Sequence, residues 1–337
     1  MKAGTKRLLN FLLIFGTLAI VLIVGFNGKD FGKTVAAVGS LPLKAAFLCV
    51  AAYLGYLFLD GLAVWYFLRR QNCGISLGYA FFVAVVGQYY CNITPGASGG
   101  QPMQVYYLKR KAVPIGLGTS SLLVKLFCFQ FMLQVLATAF WIIYPDFIRE
   151  NVGGSMWILI LGYAYNAVVV ILLLLVAVNR RIVHAIVMGC IKIGTKLHIC
   201  KDPEGAKIRW EDTVDNFHES IALLRKHPRD LAVQLLIGGT QLLVLMLVIW
   251  FLYREFGIPG AGWGAMTALG IMIYISASYT PLPGASGAQE GVFSLYLSRL
   301  FPDDYLFVTL LLWRFFTYYL SLILGAVTTV ADSFRKR

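Results

Sequence analysis

Seven residues, Pro-Gly-Ala-Ser-Gly-Gly-Gln at 95–101, return as Pro-Gly-Ala-Ser-Gly-Ala-Gln at 283–289. Pro removes a backbone donor and Gly weakens a helix interior, so Pro95, Gly96, Pro283 and Gly284 stop the helices that run into them. Gly99, Gly100 and Gly287 let backbone amides turn toward a ligand. Exposed amides at the start of the next half-helix, at its positive dipole end, form a natural anion site. Ser98 and Ser286 add hydroxyls, and Gln101 and Gln289 add amides that donate to phosphate or sugar oxygens. The plainer reading is helix packing, in which small residues allow close approach. A single copy would be read that way; two copies that keep Ser and Gln point to a binding site.

Lys125 and Arg314 form a second constellation, 24 and 25 residues after Gln101 and Gln289. Lys125 lies 11 residues past Pro114, about 16 Å along a helix, and Arg314 lies 10 past Asp304, about 15 Å. Entering from opposite faces of a hydrocarbon core about 30 Å thick, both reach the midplane. A lone cation there costs a few kcal/mol or more and needs an anion or water. Asp60 and Glu290 are the acids expected at the same depth. They either neutralise the two cations or carry a coupling proton.

These residues need helices to position them. The chain has 337 residues, 59% apolar and 13% charged, with a mean hydropathy of +0.74, which is outside the range of soluble domains. Apolar runs predict membrane helices at Leu8–Phe26, Leu43–Leu68, Ile75–Asn92, Pro114–Tyr144, Ser155–Asn179, Arg229–Tyr253, Trp263–Thr280 and Asp304–Val330. The fold expected is an all-α integral membrane protein, a polytopic helix bundle forming one domain over 1–337. Both repeated motifs interrupt apolar stretches, where lipid offers no hydrogen bonds to freed backbone. Each therefore reads as the tip of a re-entrant hairpin.

Re-entry places 21 of the 29 Lys and Arg on one face and 6 on the other, with Lys125 and Arg314 in the membrane. The positive-inside rule makes the richer face cytoplasmic, carrying both termini. The units 75–144 and 263–330 then enter from opposite sides as inverted-topology repeats, the arrangement that opens one fold alternately to both faces. The intervening 180–228 loop carries a stripe of Trp210, Val214, Phe217, Ile221 and Leu224 at helical spacing, an amphipathic helix on the cytoplasmic surface or under the bundle. The net charge of +13 lies at membrane edges, so its partner is anionic lipid and not nucleic acid. Six cysteines without a CxxC pair and four histidines without metal spacing predict no metal site and no cofactor.

The paired P-G-x-S-G-x-Q hairpins, the basic residues that follow them and the ending WRFFTYYLSLILGAV together resemble the lysylphosphatidylglycerol synthase membrane-domain family, also known as flippase-like domain proteins. The likeness covers nearly the whole chain. It implies a bacterial plasma-membrane protein that moves an anionic or aminoacylated phospholipid, such as lysyl-phosphatidylglycerol, between leaflets through a midplane cavity. By that resemblance, Pro95–Gln101 and Pro283–Gln289 line the headgroup path, while Lys125 and Arg314 receive the phosphate. Family members that also synthesise the lipid carry a soluble aminoacyltransferase domain. None stands in these residues, so translocation without synthesis is expected. A phosphatidylglycerol lysyltransferase or its membrane subunit, a translocase of a glycolipid or polyprenyl phosphate, and a small-solute channel are the competing readings. A homo-oligomer and a separate lipid-modifying enzyme remain open as partners.

The topology is checked by labelling. In a cysteine-free background, single cysteines at Lys111 and Glu204 should be shielded from an impermeant outside reagent, and one at Asp303 should react. Outside labelling at Lys111 would make the first hairpin a full crossing.

Overall fold

The protein was described from a computed structural model, which covers residues 38–179 and 227–334 with isolated helical positions at 181, 184, 188, 222 and 226. The helix expected at Leu8–Phe26 and the stripe from Trp210 to Leu224 lie outside the described residues. Every regular element among the described residues is helical, and five helices are long and apolar enough to cross a membrane. The chain is a polytopic all-α membrane protein.

The long helices follow the apolar runs closely. They are α1 (Leu43–Arg70), α4 (Ile115–Ile143), α6 (Met156–Val178) and α7 (Pro228–Phe256), with α2 (Leu77–Ile93) and α8 (Trp263–Ala277) shorter. At 17 and 15 residues, α2 and α8 span about 25 and 22 Å, less than the hydrocarbon thickness. The first runs up to the motif, ending two residues before Pro95, whereas the second ends at Ala277, ahead of a turn at Ser278 and Tyr279 and of Pro281. The residue before each proline is forced out of the helical region: Thr94 has φ −117°, ψ 141°, and Leu282 has φ −73°, ψ 149°. A short 3-10 turn follows at Pro95–Ala97 and at Pro283–Ala285. The chain then returns through ten-residue helices, α3 (Gly100–Lys109) and α9 (Ala288–Leu297).

Both hairpins close at their bases. Tyr79 Oη, in the first turn of α2, donates to Tyr107 O near the end of α3 at 2.7 Å. Ile258 N, ahead of α8, donates to Leu300 O, beyond α9, at 2.8 Å. The tips meet, with Gly96 N donating to Pro281 O at 2.7 Å. Between them runs α7, the central helix, packed on α1, α4 and α8. At its start Asp230 pairs with Arg70 at 2.9 Å, seven residues before α2 begins. Its far end leads directly into the base of the second hairpin, where the Tyr253 and Phe301 rings meet edge to face. The hairpin bases thus lie at opposite ends of α7.

Two elements were not expected. The amphipathic α5 (Pro145–Val152) starts on proline, ends where Gly153 turns to φ 50°, and buries Ile148 and Val152; at eight residues it is too short for a hydropathy signal. The last apolar run is one helical span, Asp304–Phe334, but not α-helical throughout. It divides into α10 (Asp303–Arg314), a π-helical turn at Phe315–Tyr319 and α11 (Leu320–Phe334). Such turns occur often at functional sites, and this one begins immediately after Arg314.

The hairpins also explain why the copies differ at Gly100 and Ala288. A β-carbon on Gly100 would overlap Cys91 Sγ and stand 2.9 Å from Gly87 O, because α3 lies directly on α2. Gly100→Ala should therefore lower thermal stability in detergent by about 1–3 kcal/mol through overpacking. Ala288→Gly should cost no more than about 1 kcal/mol, the helix-propensity difference. Equal effects would show that the α2–α3 contact is not the constraint.

Candidate functional site

The residues singled out by chemistry converge on one cavity of about 540 Å³. Its wall holds Gly96, Ser98 and Gln101 from the first hairpin and Gly284 and Gln289 from the second. It also holds Lys125 of α4, Arg314 of α10 and Asp60 of α1. Pro95, Gly99, Gly100, Pro283, Ser286, Gly287 and Glu290 are not among the residues that line it.

Each cation has an acid. Lys125 Nζ lies 2.8 Å from Asp60 Oδ2 and 3.5 Å from Gln104 Oε1. Gln241 Nε2 donates to the other Asp60 oxygen at 3.3 Å. Arg314 is 3% exposed, with Nη1 donating to Gln289 Oε1 at 2.6 Å and Nη2 to Ser286 Oγ at 3.1 Å and Gly284 O at 3.2 Å. Its Nε lies 2.7 Å from Glu290 Oε1, an ion pair by distance but too poorly aligned to be a hydrogen bond. The guanidinium also stacks over Tyr318, 4.5 Å from the ring centroid. Glu290 Oε2 completes the set by accepting from Gly287 N at 2.7 Å. Of the two roles expected for Asp60 and Glu290, the geometry is that of charge partners. Lys125 and Arg314 therefore do not present free charges to an anion, and their pairs leave the wall electroneutral.

The amides expected to face a ligand are also engaged. Gly99 N donates to Thr94 Oγ1 at 2.9 Å, and Gly287 N is held by Glu290. What the tips share is a left-handed turn at Gly96 and Gly284, with φ 59° and 60°, continued by Ala97 and Ala285 at φ 54° and 49°. A left-handed alanine costs about 1–2 kcal/mol, and such strain persists only where surroundings enforce it. Beyond this point the copies diverge. Ser98 and Gly99 are helical, at φ −68° and −85°, whereas Ser286 is extended, with ψ 141°, and Gly287 has φ 87°. The second tip is buried under the Arg314 guanidinium, and the first lies open to the cavity. Position 102 accounts for part of this. The first copy has Pro102 where the second has Glu290, so no carboxylate can cap its tip.

Several wall residues escaped the motif reading. Gln88, Gln104, Gln130 and Gln241 join Gln101 and Gln289 around the cavity, together with the aromatic rings of Tyr56, Tyr274 and Trp313. Their signal was present, because a glutamine inside an apolar helix is itself costly. Tyr279 also lines the cavity.

Residues 8–325 match the profile of the family described as lysylphosphatidylglycerol synthase TM region. The chain belongs to this family. It is also 24% identical to a UPF0104 membrane protein of Archaeoglobus fulgidus, over 77% of this chain and 80% of that protein. In this member of the lysylphosphatidylglycerol synthase TM family, the matched span takes in both hairpins, the central helix and both charge pairs.

The ion pairs make a stability prediction. Lys125→Met leaves the half-buried Asp60 without a counter-charge and should cost about 1–3 kcal/mol, whereas Lys125→Met with Asp60→Leu should recover most of that loss. Thermal unfolding in detergent measures both. A double variant no more stable than the single one would mean that the pair is not what holds α1 to α4.

Proposed function

We propose that this protein is a lipid transporter, a flippase or scramblase, in which a phospholipid headgroup occupies the 540 Å³ cavity while its acyl chains stay in the bilayer. The observation that carries the reading is the convergence of both broken helices and both charge pairs on one cavity at the centre of an apolar bundle. Irregular backbone at membrane depth belongs where it lines a substrate path. The cavity wall includes Tyr165, Tyr279 and Leu282, which are 43%, 38% and 41% exposed. Tyr165 belongs to α6, whose side chains are largely outward-facing and apolar, so a lateral exit for acyl chains is available beside it.

In this reading 75–144 and 263–330 act as inverted repeats and the termini are cytoplasmic. The hairpin pinned by Arg314 is the closed gate, and the first hairpin, free of such a clamp, is the open one. Transport exchanges the two conditions. The lipid is an anionic or aminoacylated phospholipid, lysyl-phosphatidylglycerol being the one to which the family description points. Its phosphate and ammonium groups would replace the partners that Lys125 and Asp60 offer each other.

The test is translocation of an acyl-labelled phospholipid in proteoliposomes, read by a reagent that reaches only the outer leaflet. The full chain should move lipid at least tenfold faster than protein-free vesicles. Gly284→Val should abolish the gain while retaining helical content, because its β-carbon would overlap the Tyr318 ring at a left-handed position. A wild-type rate equal to that of empty vesicles would overturn the reading.

A further inference from the structure

Six glutamines from five helices face the central cavity: Gln88 of α2, Gln101 and Gln104 of α3, Gln130 of α4, Gln241 of α7 and Gln289 of α9. Their partners divide them. Gln104 donates to Val83 O at 3.3 Å, Gln241 to Asp60, and Gln289 accepts from Arg314. These three have structural work, of the kind that amides commonly do between membrane helices. Gln88, Gln101 and Gln130 have no hydrogen-bond partner among the described residues, although each is half-buried in the cavity wall. An amide withdrawn from bulk water needs a partner, and these three meet the interior of the cavity from three directions.

We infer that the cavity selects headgroups by their hydroxyls, and that Gln88, Gln101 and Gln130 are the residues that read them. This rests on the translocation reading above and names what that site recognises. A primary amide both donates and accepts, and so does a hydroxyl, so a glutamine satisfies a polyol in either orientation. Among headgroups of equal net charge the discrimination falls to neutral groups, since in the resting wall both cations are already paired. The rings of Tyr56 and Trp313, which are 6% and 9% exposed, complete the site: their negatively polarised faces suit the C–H side of a glycerol or sugar. The substrate class is a lipid whose headgroup ends in a glycerol or a sugar. A trimethylammonium headgroup, which has no hydrogen to donate, would leave all three amides unpaired and is disfavoured for that reason.

The probes are acyl-labelled phosphatidylglycerol and phosphatidylpropanol in proteoliposomes of the full chain. Their charge, acyl chains and headgroup carbons are the same, and only the two free glycerol hydroxyls differ. Phosphatidylglycerol should move at least tenfold faster. In Gln88→Leu/Gln101→Leu/Gln130→Leu the ratio should fall to about one. A second pair, glucosyl diacylglycerol against phosphatidylcholine, should show the same preference and the same loss. Equal wild-type rates within each pair overturn the selection while leaving translocation intact. If no lipid moves, translocation itself has failed, and retention of the same lipids by the purified protein in native mass spectrometry then decides the selection: equal retention overturns it. Uptake of free methyl glucoside with no lipid movement would keep the hydroxyl chemistry but overturn a lipid as its source.

Discussion

The backbone that leaves its helix at Pro95 and Pro283 has to find hydrogen bonds where neither water nor lipid supplies them. Much of the site follows from how this is met. Gly96 N is satisfied by the opposite tip, Gly99 N by the Thr94 hydroxyl, Gly287 N by Glu290, and the carbonyl of Gly284 by Arg314. Glu290 and Arg314 are in turn charged because a charge-assisted bond holds a freed peptide group more firmly than a neutral one. The side chains that look like a binding apparatus are therefore first of all the means by which two broken helices can exist. The ligand site is the space they cannot fill.

That double duty explains what the sequence showed and what it hid. The helices were legible because apolar runs end at Pro, Gly or charge, and the extents of α1, α4, α6 and α7 differ from expectation by only a few residues. The cavity was legible in outline because the motif is repeated and because Lys125 and Arg314 could be placed at one depth by counting residues. Partner choice was not legible. Nothing in the spacing says that Lys125 reaches Asp60, 65 positions away, or that Arg314 turns back onto its own hairpin. Nor does near-identity of the motif reveal that Ser98 and Ser286 adopt different backbone conformations. That difference depends on Thr94, Pro102 and Glu290, which flank the motif or lie elsewhere along the chain's turn.

The two hairpins share a motif yet are held unequally. The second hairpin is fixed by four contacts to one guanidinium and by a capping carboxylate, and the π turn at Phe315–Tyr319 begins at the residue that makes them. The first is fixed by a single hydroxyl and by close packing of Gly100 on α2. A structure with one tight and one loose tip has a built-in sequence of release: the loosely held element responds first to whatever enters the cavity.

In the transport proposed above, the tips that touch at Gly96 and Pro281 are the partition between the two ends of the bundle. Where water fills a cavity beside such a partition, the transmembrane voltage falls mainly across the partition and not across the full bilayer. A charge carried past the tips would then traverse most of the field in a few ångströms, at about 2.3 kcal/mol per elementary charge for each 100 mV. A cargo without net charge would cross the same few ångströms without electrical work. Under the transport proposed above, the shortness of one backbone contact would make the membrane potential a selective force on charged headgroups alone.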